Sequence, residues 1–398
     1  MGLFDRFLNR PPSQDRFAGM LLDRVRASGD HRPVTYDAAG FRLVRSNAQV
    51  MFLGNTYKEY LRGTKEQREI ILRRFLAMWH TSEKPVPEDF DLVKADLLPA
   101  LRARSYLEVD LRLVSEGDAT SPPYEIIGDH LALSLVYDLP DSMMTVSDEL
   151  LEKWGVSFYE AMEVARQNLH DKPAQCAQIG SAYALTNGDA YDATRLIALD
   201  FIRQLTVPGG TIAMVPNRER LYIAGSEDPA GLAFLLHFAE QDVQHERYIS
   251  GLAFRLEDDE WQPWLPPAGH EHHERFRRLQ LQTMGEMYGS QERLLQKQHA
   301  ATGLDVFVAS FSGRVDKTTG RGHSLCMWAE GVDTFLPETD EVYFVRPNGD
   351  DVTTVARADW QTVQRCAGDL MEPQGLYPER WRVRSFPDAA TLANIGNK

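Results

Sequence analysis

The feature that most constrains the fold is a pair of proline-rich segments that interrupts a series of short strands and single helices. Segment 84–90 has two prolines within three residues, and Pro263, Pro266 and Pro267 form the second group. Proline cannot continue a helix, because it lacks a backbone donor and its ring clashes with the preceding turn. The sequence therefore predicts three domains, at residues 1–83, 90–265 and 270–398.

Within each section, strand patterns are followed by one amphipathic helix. Segments 124–127 and 131–137 are rich in β-branched and aromatic residues, as strands are. Ser157 and Glu160 have the spacing of a capping box at a helix start, and so do Thr64 and Gln67. Short strands with tight turns, followed by single helices, predict an α+β fold with mixed or antiparallel sheets.

Three further segments are predicted from local pattern alone. Segments 211–215 and 220–224 read as a β-hairpin, and 106–114 reads as a strand. Segment 269–299 has a helical pattern, which we expect to be broken near Gly289 because glycine weakens a helix interior.

Composition narrows the setting and the partners. The net charge of −15 argues against general nucleic-acid binding, because phosphate contacts need clustered lysine and arginine. Three cysteines without ligand spacing fit a reducing compartment. No run approaches the roughly 18 apolar residues of a membrane span. The sequence therefore predicts a cytoplasmic protein without a transmembrane segment.

The amino-terminal region is basic, with 14 basic and 8 acidic side chains in residues 1–80. It either docks on the acidic middle of the chain or forms a recognition surface for an acidic partner. Ahead of Pro11, apolar side chains recur on one side of a short helical pattern, at Leu3, Phe4, Phe7 and Leu8. These residues predict either packing on the protein's own core or weak contact with a membrane surface.

The most distinctive stretch is Asn-Gly-Asp-Ala-Tyr-Asp-Ala-Thr-Arg-Leu at 187–196, followed by the two predicted hairpin strands. Together they resemble the signature of the YtpQ-like proteins, an uncharacterised bacterial family. The resemblance extends over about residues 90–265, and residues 266–398 lie outside it. It implies an α+β fold and a bacterial setting, but no reaction, substrate or partner.

Asp189, Asp192 and Arg195 of this signature follow one another at spacings of three. On a helix they would share a face and form a charged ligand-binding site. Alternatively, Asp189 caps the helix, Asp192 places negative charge in its first turn, and Arg195 pairs with Asp192.

A histidine cluster is the second candidate site. His270, His272 and His273 follow the second proline group and offer imidazole ligands for a divalent metal ion. They lack the HExxH spacing of zinc hydrolases, and a solvated helix start explains them equally well. The sequence predicts no other cofactor.

Motifs of nucleophilic catalysis and phosphate binding are missing from the sequence. The pattern therefore favours a binding or interaction module for a protein or small ligand over an enzyme. The alternative is a hydrolase with a new, metal-assisted site between the middle and carboxy-terminal domains. The oligomeric state does not follow from the sequence.

Overall fold

The computed structural model describes residues 11–45, 50–81, 86–114, 121–139, 142–243, 245, 247–348 and 351–396. The proposed membrane-contact residues Leu3, Phe4, Phe7 and Leu8 lie outside these ranges. The chain divides into two compact units. Unit 1 comprises the described residues within 1–99 and 135–171, and unit 2 those within 100–134 and 172–398. The division into three domains stays a prediction.

The fold is α+β, as predicted. The α-helices are, in chain order, α1 Gln14–Ala27, α2 Gly54–Arg62, α3 Lys65–Thr81, α4 Phe90–Val93, α5 Leu111–Val114, α6 Asp148–Trp154, α7 Phe158–His170, α8 Leu199–Ile202, α9 Pro229–Asp242, α10 His273–Thr302, α11 Trp360–Ala367 and α12 Ala389–Gly396.

The strands form several sheets. They are β1 Val34–Asp37, β2 Arg42–Arg45, β3 Val50–Phe52, β4 Leu97–Ala103, β5 Tyr124–Ile127, β6 Leu131–Leu139, β7 Ser142–Thr145, β8 Cys176–Ile179, β9 Ala182–Leu185, β10 Thr211–Met214, β11 Tyr222–Gly225, β12 Ala253–Glu257, β13 Glu260–Trp264, β14 Phe307–Val308, β15 Ser312–Val315, β16 Gly322–Ala329, β17 Thr334–Pro337, β18 Glu341–Asn348, β19 Asp351–Asp359, β20 Met371–Pro373 and β21 Arg380–Val383.

Unit 1 packs three helices around a small antiparallel sheet. Strands β1, β2 and β3 pair in chain order, and α1, α2 and α3 contribute apolar side chains to one core with Leu43 of β2. Phe17, Phe75 and Trp79 are almost fully buried in that core. The Trp79 Nε1–H donates to Asp30 at 2.9 Å, so the polar atom of this buried ring has a partner.

Unit 2 contains a six-stranded antiparallel sheet in the order β13-β12-β10-β11-β9-β8. Helix α9 packs on it through Leu232, Leu235 and Leu236, which are completely buried. The predicted hairpin is confirmed, because β10 and β11 pair directly.

The carboxy-terminal part of unit 2, from residue 307 onward, contains two four-stranded mixed sheets. Their orders are β14-β17-β21-β20 and β15-β16-β18-β19. The pairs β14/β17 and β16/β18 are parallel, and the other pairs are antiparallel. Trp328, Phe344 and Val363 lie in the core shared by these sheets and helices α11 and α12.

Both capping boxes are confirmed. The Ser157 hydroxyl accepts from Glu160 N–H while the Glu160 carboxylate accepts from Ser157 N–H. At α3, Thr64 N–H donates to Gln67 Oε1 at 2.7 Å, and Gln67 N–H donates to Thr64 Oγ1 at 3.3 Å. These two helix starts were correctly predicted because a capping box depends on residues three apart.

Two local predictions are wrong. Segment 106–114, predicted as a strand, forms a π-helix at Tyr106–Asp110 followed by α5. The predicted break near Gly289 does not occur, since α10 runs without interruption for 30 residues. Its buried residues, such as Leu279, Tyr288 and Leu295, pack along most of its length. This packing outweighs the cost of about 1 kcal/mol that a glycine adds to a helix interior.

Among the described helices, none combines the length and apolar character needed to cross a bilayer.

Candidate functional site

The signature at 187–196 forms a tight loop that ends in a short 3-10 turn, Ala193–Ile197. Asp192 is completely buried, and its two carboxylate oxygens accept from Asn187 N–H at 3.1 Å and Gly188 N–H at 2.9 Å. Arg195 donates from both terminal nitrogens to Asp189, at 2.9 and 2.7 Å. The structure therefore brings the three predicted residues together. The hydrogen bonds that hold them are formed within the loop itself.

The two carboxylates differ in proton affinity. Burial alone would raise the pKa of Asp189, but hydrogen bonds from Arg195 and Tyr191 N–H and the positive charge of Arg195 hold that pKa below its usual range. At Asp192, burial raises the pKa despite the two backbone donors. Asp189 thus acts as the ionised partner of Arg195. A ligand role for these residues stays a prediction.

The signature loop also holds two neighbouring segments in place. Thr194 Oγ1 accepts from Leu101 N–H at 3.1 Å, near the end of β4. Ala193 N–H donates to Arg218 O at 3.2 Å, and Arg218 N–H donates to Arg247 O, also at 3.2 Å. The first contact lies just before the π-helix, into which β4 continues. The second leads to Arg247, which directly precedes Tyr248.

The three histidines of the second candidate site point their rings at backbone atoms. His272 Nε2 donates to Pro229 O at 2.9 Å, and His273 Nδ1 donates to Pro266 O at 2.7 Å. His270 Nδ1 accepts from His272 N–H at 3.1 Å. Across the described ranges, no three His, Cys, Asp or Glu side chains are arranged to hold a metal ion. The metal site at these histidines stays a prediction.

A cavity of about 780 Å³ lies within unit 2. Its walls are the π-helix, the segment before β12, one face of α10 and strand β15. Charged side chains of both signs line it, and we call it the charged cavity. They are Asp110, Arg278, Glu286, Arg293 and Arg314.

Helix α10 supplies most of the polar lining. Arg278, Gln282, Glu286, Ser290 and Arg293 follow at spacings of four, four, four and three residues, so they share one helix face. Fifteen residues at 1.5 Å per residue make this row about 22 Å long. The cavity is therefore an elongated groove with arginines near both ends.

The π-helix places Tyr106 and Asp110 against the same groove. Burial raises the pKa of Asp110, and the negative charge of Glu286 raises it further. A hydrogen bond from Ser290 and the positive charge of Arg293 oppose that rise. Single π-turns are frequent at functional sites, where they re-aim side chains. A carboxyl group with a raised pKa in a cleft can bind a cation or transfer a proton.

The wall formed by the segment before β12 is fixed by hydrogen bonds. Thr283 Oγ1 donates to Leu279 O at 2.9 Å, so it accepts at 2.8 Å from the Tyr248 hydroxyl. Gly251 N–H donates to both oxygens, at 3.0 and 3.1 Å. Tyr248 therefore lines the groove in a defined orientation.

None of the residues predicted from the sequence lines the charged cavity. The signal that was missed is the row of polar residues on α10, which is visible at helical spacing only if the helix continues through Gly289. Asp110 gave no such signal, because the segment around it was read as a strand.

Comparisons with known proteins give distant relatives. A UPF0354 protein of Listeria welshimeri is 28% identical over 135 residues, which cover 30% of this chain and 51% of the relative. UPF0354 proteins of Listeria innocua and Listeria monocytogenes are 27% and 26% identical over 153 residues, or 36% of this chain and 54% of each relative. No family model and no solved structure matches the chain. The chain spans about half the length of these curated relatives, which belong to a family of uncharacterised proteins.

Proposed function

We propose that this chain is a binding protein whose ligand site is the charged cavity. The observation that supports this most is the size and chemistry of the groove. Its volume of about 780 Å³ falls within the roughly 300–1,000 Å³ of small-molecule sites. Five charged side chains of both signs converge on it, and they provide the polar contacts that orient a ligand. The YtpQ-like identity and the cytoplasmic location stay predictions of the sequence.

The signature residues serve this site indirectly in the proposal. Thr194 braces β4 just before the π-helix, and Ala193 braces the segment that leads to Tyr248. Asp189, Asp192 and Arg195 give the loop its shape. The signature would then fix two walls of the groove without touching the ligand.

The test is native mass spectrometry of untagged protein recovered from its own host, so that ligands acquired in the cell stay attached. We expect a mass above that of the chain, which is released on denaturation. The double variant Glu286→Gln/Arg293→Gln should lose this mass. The matched control Glu163→Gln/Arg384→Gln changes exposed residues outside the groove and should keep it. A bare chain in the wild type, or equal retention by both variants, would overturn the proposal.

One observation favours a second candidate, a hydrolase that uses the same groove. The raised pKa of Asp110 suits a carboxyl group that takes a proton from an attacking water molecule. In that case the wild type would convert the recovered compound on incubation, whereas Asp110→Asn would bind it unchanged. Binding without conversion by the wild type would leave the protein a binding module. The metal-assisted form of this hydrolase stays a prediction of the sequence.

A further inference from the structure

We propose that the charged cavity binds a short extended peptide of about three residues with free termini, which adds to the sheet edge at β15. This inference rests on the proposed function and names the class of ligand. Three observations support it: the unpaired edge of β15, the directions of its backbone groups, and the distribution of charge along the groove.

Strand β15 is the first strand of the sheet β15-β16-β18-β19, so its outer side pairs with no other described strand. Gly313, Arg314 and Val315 of this strand line the charged cavity. Edge strands of this kind bind extended peptides through main-chain hydrogen bonds. The groove thus has a ready partner for a peptide backbone.

The register with β16 shows which backbone groups face outward. Gly313 lies opposite Ser324, and Val315 opposite Gly322. Ser324 N–H donates to Asp340 at 2.6 Å, and Gly322 N–H donates to Glu274 at 2.9 Å, so neither of these N–H groups donates to β15. In an antiparallel pair these are the non-hydrogen-bonded positions. The N–H and C=O groups of Gly313 and Val315 therefore point away from β16, along the open edge.

The distribution of charge selects the direction of the peptide. A Cβ at Gly322, opposite Val315, would lie 2.8 Å from Leu281 Cδ1 and 3.3 Å from Arg277 Cγ. One at Gly313 would lie 3.6 Å from Leu281 Cβ, and one at Gly285 would lie 3.8 Å from Cδ1 of Phe311, two residues before Gly313. The Val315 end of β15 is therefore nearer Arg278, and the Gly313 end is nearer Glu286. A peptide parallel to β15 would place its carboxylate at Arg278 and its ammonium group at Glu286.

A length of about three residues fits the distance between the charged side chains. Eight residues of helix separate Arg278 from Glu286 by about 12 Å. An extended tripeptide spans about 10 Å, and the charged side chains cover the remainder. In a parallel ladder, Gly313 would bond the first C=O and the third N–H of the tripeptide. Val315 N–H would then donate to its terminal carboxylate.

The charged ends of the groove have capacity for this ligand. Within the described part of the chain, Arg278 and Arg314 form no ion pair. Glu286 accepts a hydrogen bond from Gln282 at 3.1 Å and has no cationic partner there. A peptide's two termini would supply the opposite charges.

The experiment uses the full chain and a pool of synthetic tripeptides with free termini and varied side chains. Native mass spectrometry identifies the tripeptide retained most strongly, and calorimetry measures its Kd. We expect Arg278→Gln and Glu286→Gln each to weaken binding about tenfold or more, as loss of a charge-assisted hydrogen bond does. Arg384→Gln and Glu163→Gln should leave the Kd unchanged.

Two modified peptides test the geometry. N-acetylation should weaken binding to the wild type but produce little further loss in Glu286→Gln, because both changes remove the same interaction. N-methylation of the third residue's amide removes the bond to Gly313 and should abolish binding. N-methylation of the second residue's amide, which faces away from β15, should be tolerated.

The outcomes also separate this inference from the proposed function. If no tripeptide binds, but a non-peptide compound from the host is lost in Glu286→Gln/Arg293→Gln, the peptide proposal fails and the binding site stands. If both N-methylated peptides bind equally, pairing with β15 is wrong. If neither a tripeptide nor a host compound is retained, both proposals fail.

Discussion

Arg195 donates from both terminal nitrogens to the Asp189 carboxylate, at 2.9 and 2.7 Å, inside the loop formed by residues 187–196. Only 2% of the Arg195 side chain is exposed, against 33% for Asp189. The buried Asp192 lies 3.7 Å from the same guanidinium. The pair therefore connects the start of the loop to its 3-10 turn.

Removing Arg195 should destabilise unit 2. Arg195→Met takes away the cation that faces two carboxylates, of which Asp192 has no access to solvent. Breaking a buried ion pair by removing one partner costs about 3–5 kcal/mol. We expect a loss of that size in the free energy of unfolding, measured by urea denaturation.

A surface pair provides the control for Arg195. Lys153 and Glu149 form an i,i+4 pair on α6, with side chains 51% and 75% exposed. Such pairs contribute about 0–1 kcal/mol, so Lys153→Met should change stability little. Equal effects of Arg195→Met and Lys153→Met would contradict a central structural role for the signature pair.

The features predicted correctly from the sequence depend on neighbouring residues or strands. The groove, which was missed, depends on contacts between residues far apart in the sequence. The capping boxes at Ser157 and Thr64 depend on residues three apart, and the hairpin depends on adjacent strands. The groove depends on Asp110 meeting Ser290 and Arg293, which follow it by 180 and 183 positions in the sequence. A single sequence carries no record of such a pairing, and the polar row on α10 has helical spacing only if the helix continues through Gly289.

A pH-dependent loss of stability should arise at His130. Its Nδ1 lies 2.8 Å from the Tyr377 hydroxyl. The pKa of His130 is lowered from 6.5 to about 4, mainly by burial. The positive charge of Arg104 also lowers this pKa, whereas the negative charge of Asp129 raises it. Between these two values the unfolded chain binds more protons than the folded one. Stability from this group is therefore complete above about pH 6.5 and is lost as the pH falls towards 4.

The measurement compares wild type with His130→Asn, which does not titrate, by urea denaturation at pH 4.0 to 7.5. The difference between their free energies of unfolding should shrink on acidification by up to about 3 kcal/mol, since each pKa unit is worth about 1.4 kcal/mol. A difference that stays constant with pH would mean that His130 has the same pKa in the folded and unfolded states.

Gly289 should be replaceable with a gain in stability. It lies inside the continuous helix α10, and an added Cβ would meet nothing closer than Arg293 Nη1 at 3.8 Å. Alanine loses less backbone entropy on folding, so Gly289→Ala should stabilise by about 0.5–1 kcal/mol. Thermal unfolding measures the change.

Gly303 provides a control of opposite sign for Gly289. It ends the same helix in the left-handed region, with φ of 69°. A side chain is disfavoured there by about 1–2 kcal/mol, so Gly303→Ala should destabilise. If Gly289→Ala also destabilised the protein, the helix would not be continuous at that position.

Arg380 is a structural residue that no sequence pattern singled out. It is completely buried, and it donates to Gln291 Oε1 at 2.6 Å, 89 residues away. It also donates to the carbonyl groups of Ala309 and Phe335, at 2.7 and 3.1 Å. Burial lowers its pKa to about 10, so the guanidinium stays charged at neutral pH. Its partners are neutral oxygens from α10 and from two segments of the adjoining sheet.

Arg380→Met should therefore lower the free energy of unfolding by more than the loss of one charge would suggest. Methionine fills much of the same volume, but it leaves Gln291 Oε1 and the Ala309 carbonyl group without their donor, whereas Phe335 O still accepts from Ala309 N–H at 3.0 Å. Each buried unsatisfied polar group costs about 1–3 kcal/mol, so we expect a loss of at least about 2 kcal/mol in urea denaturation. Arg384→Met, which breaks a pair with Glu372 in which both side chains are 55% exposed, should cost under about 1 kcal/mol. A comparable small loss for Arg380→Met would show that water or neighbouring donors replace the guanidinium, and that Arg380 does not hold α10 against the sheet.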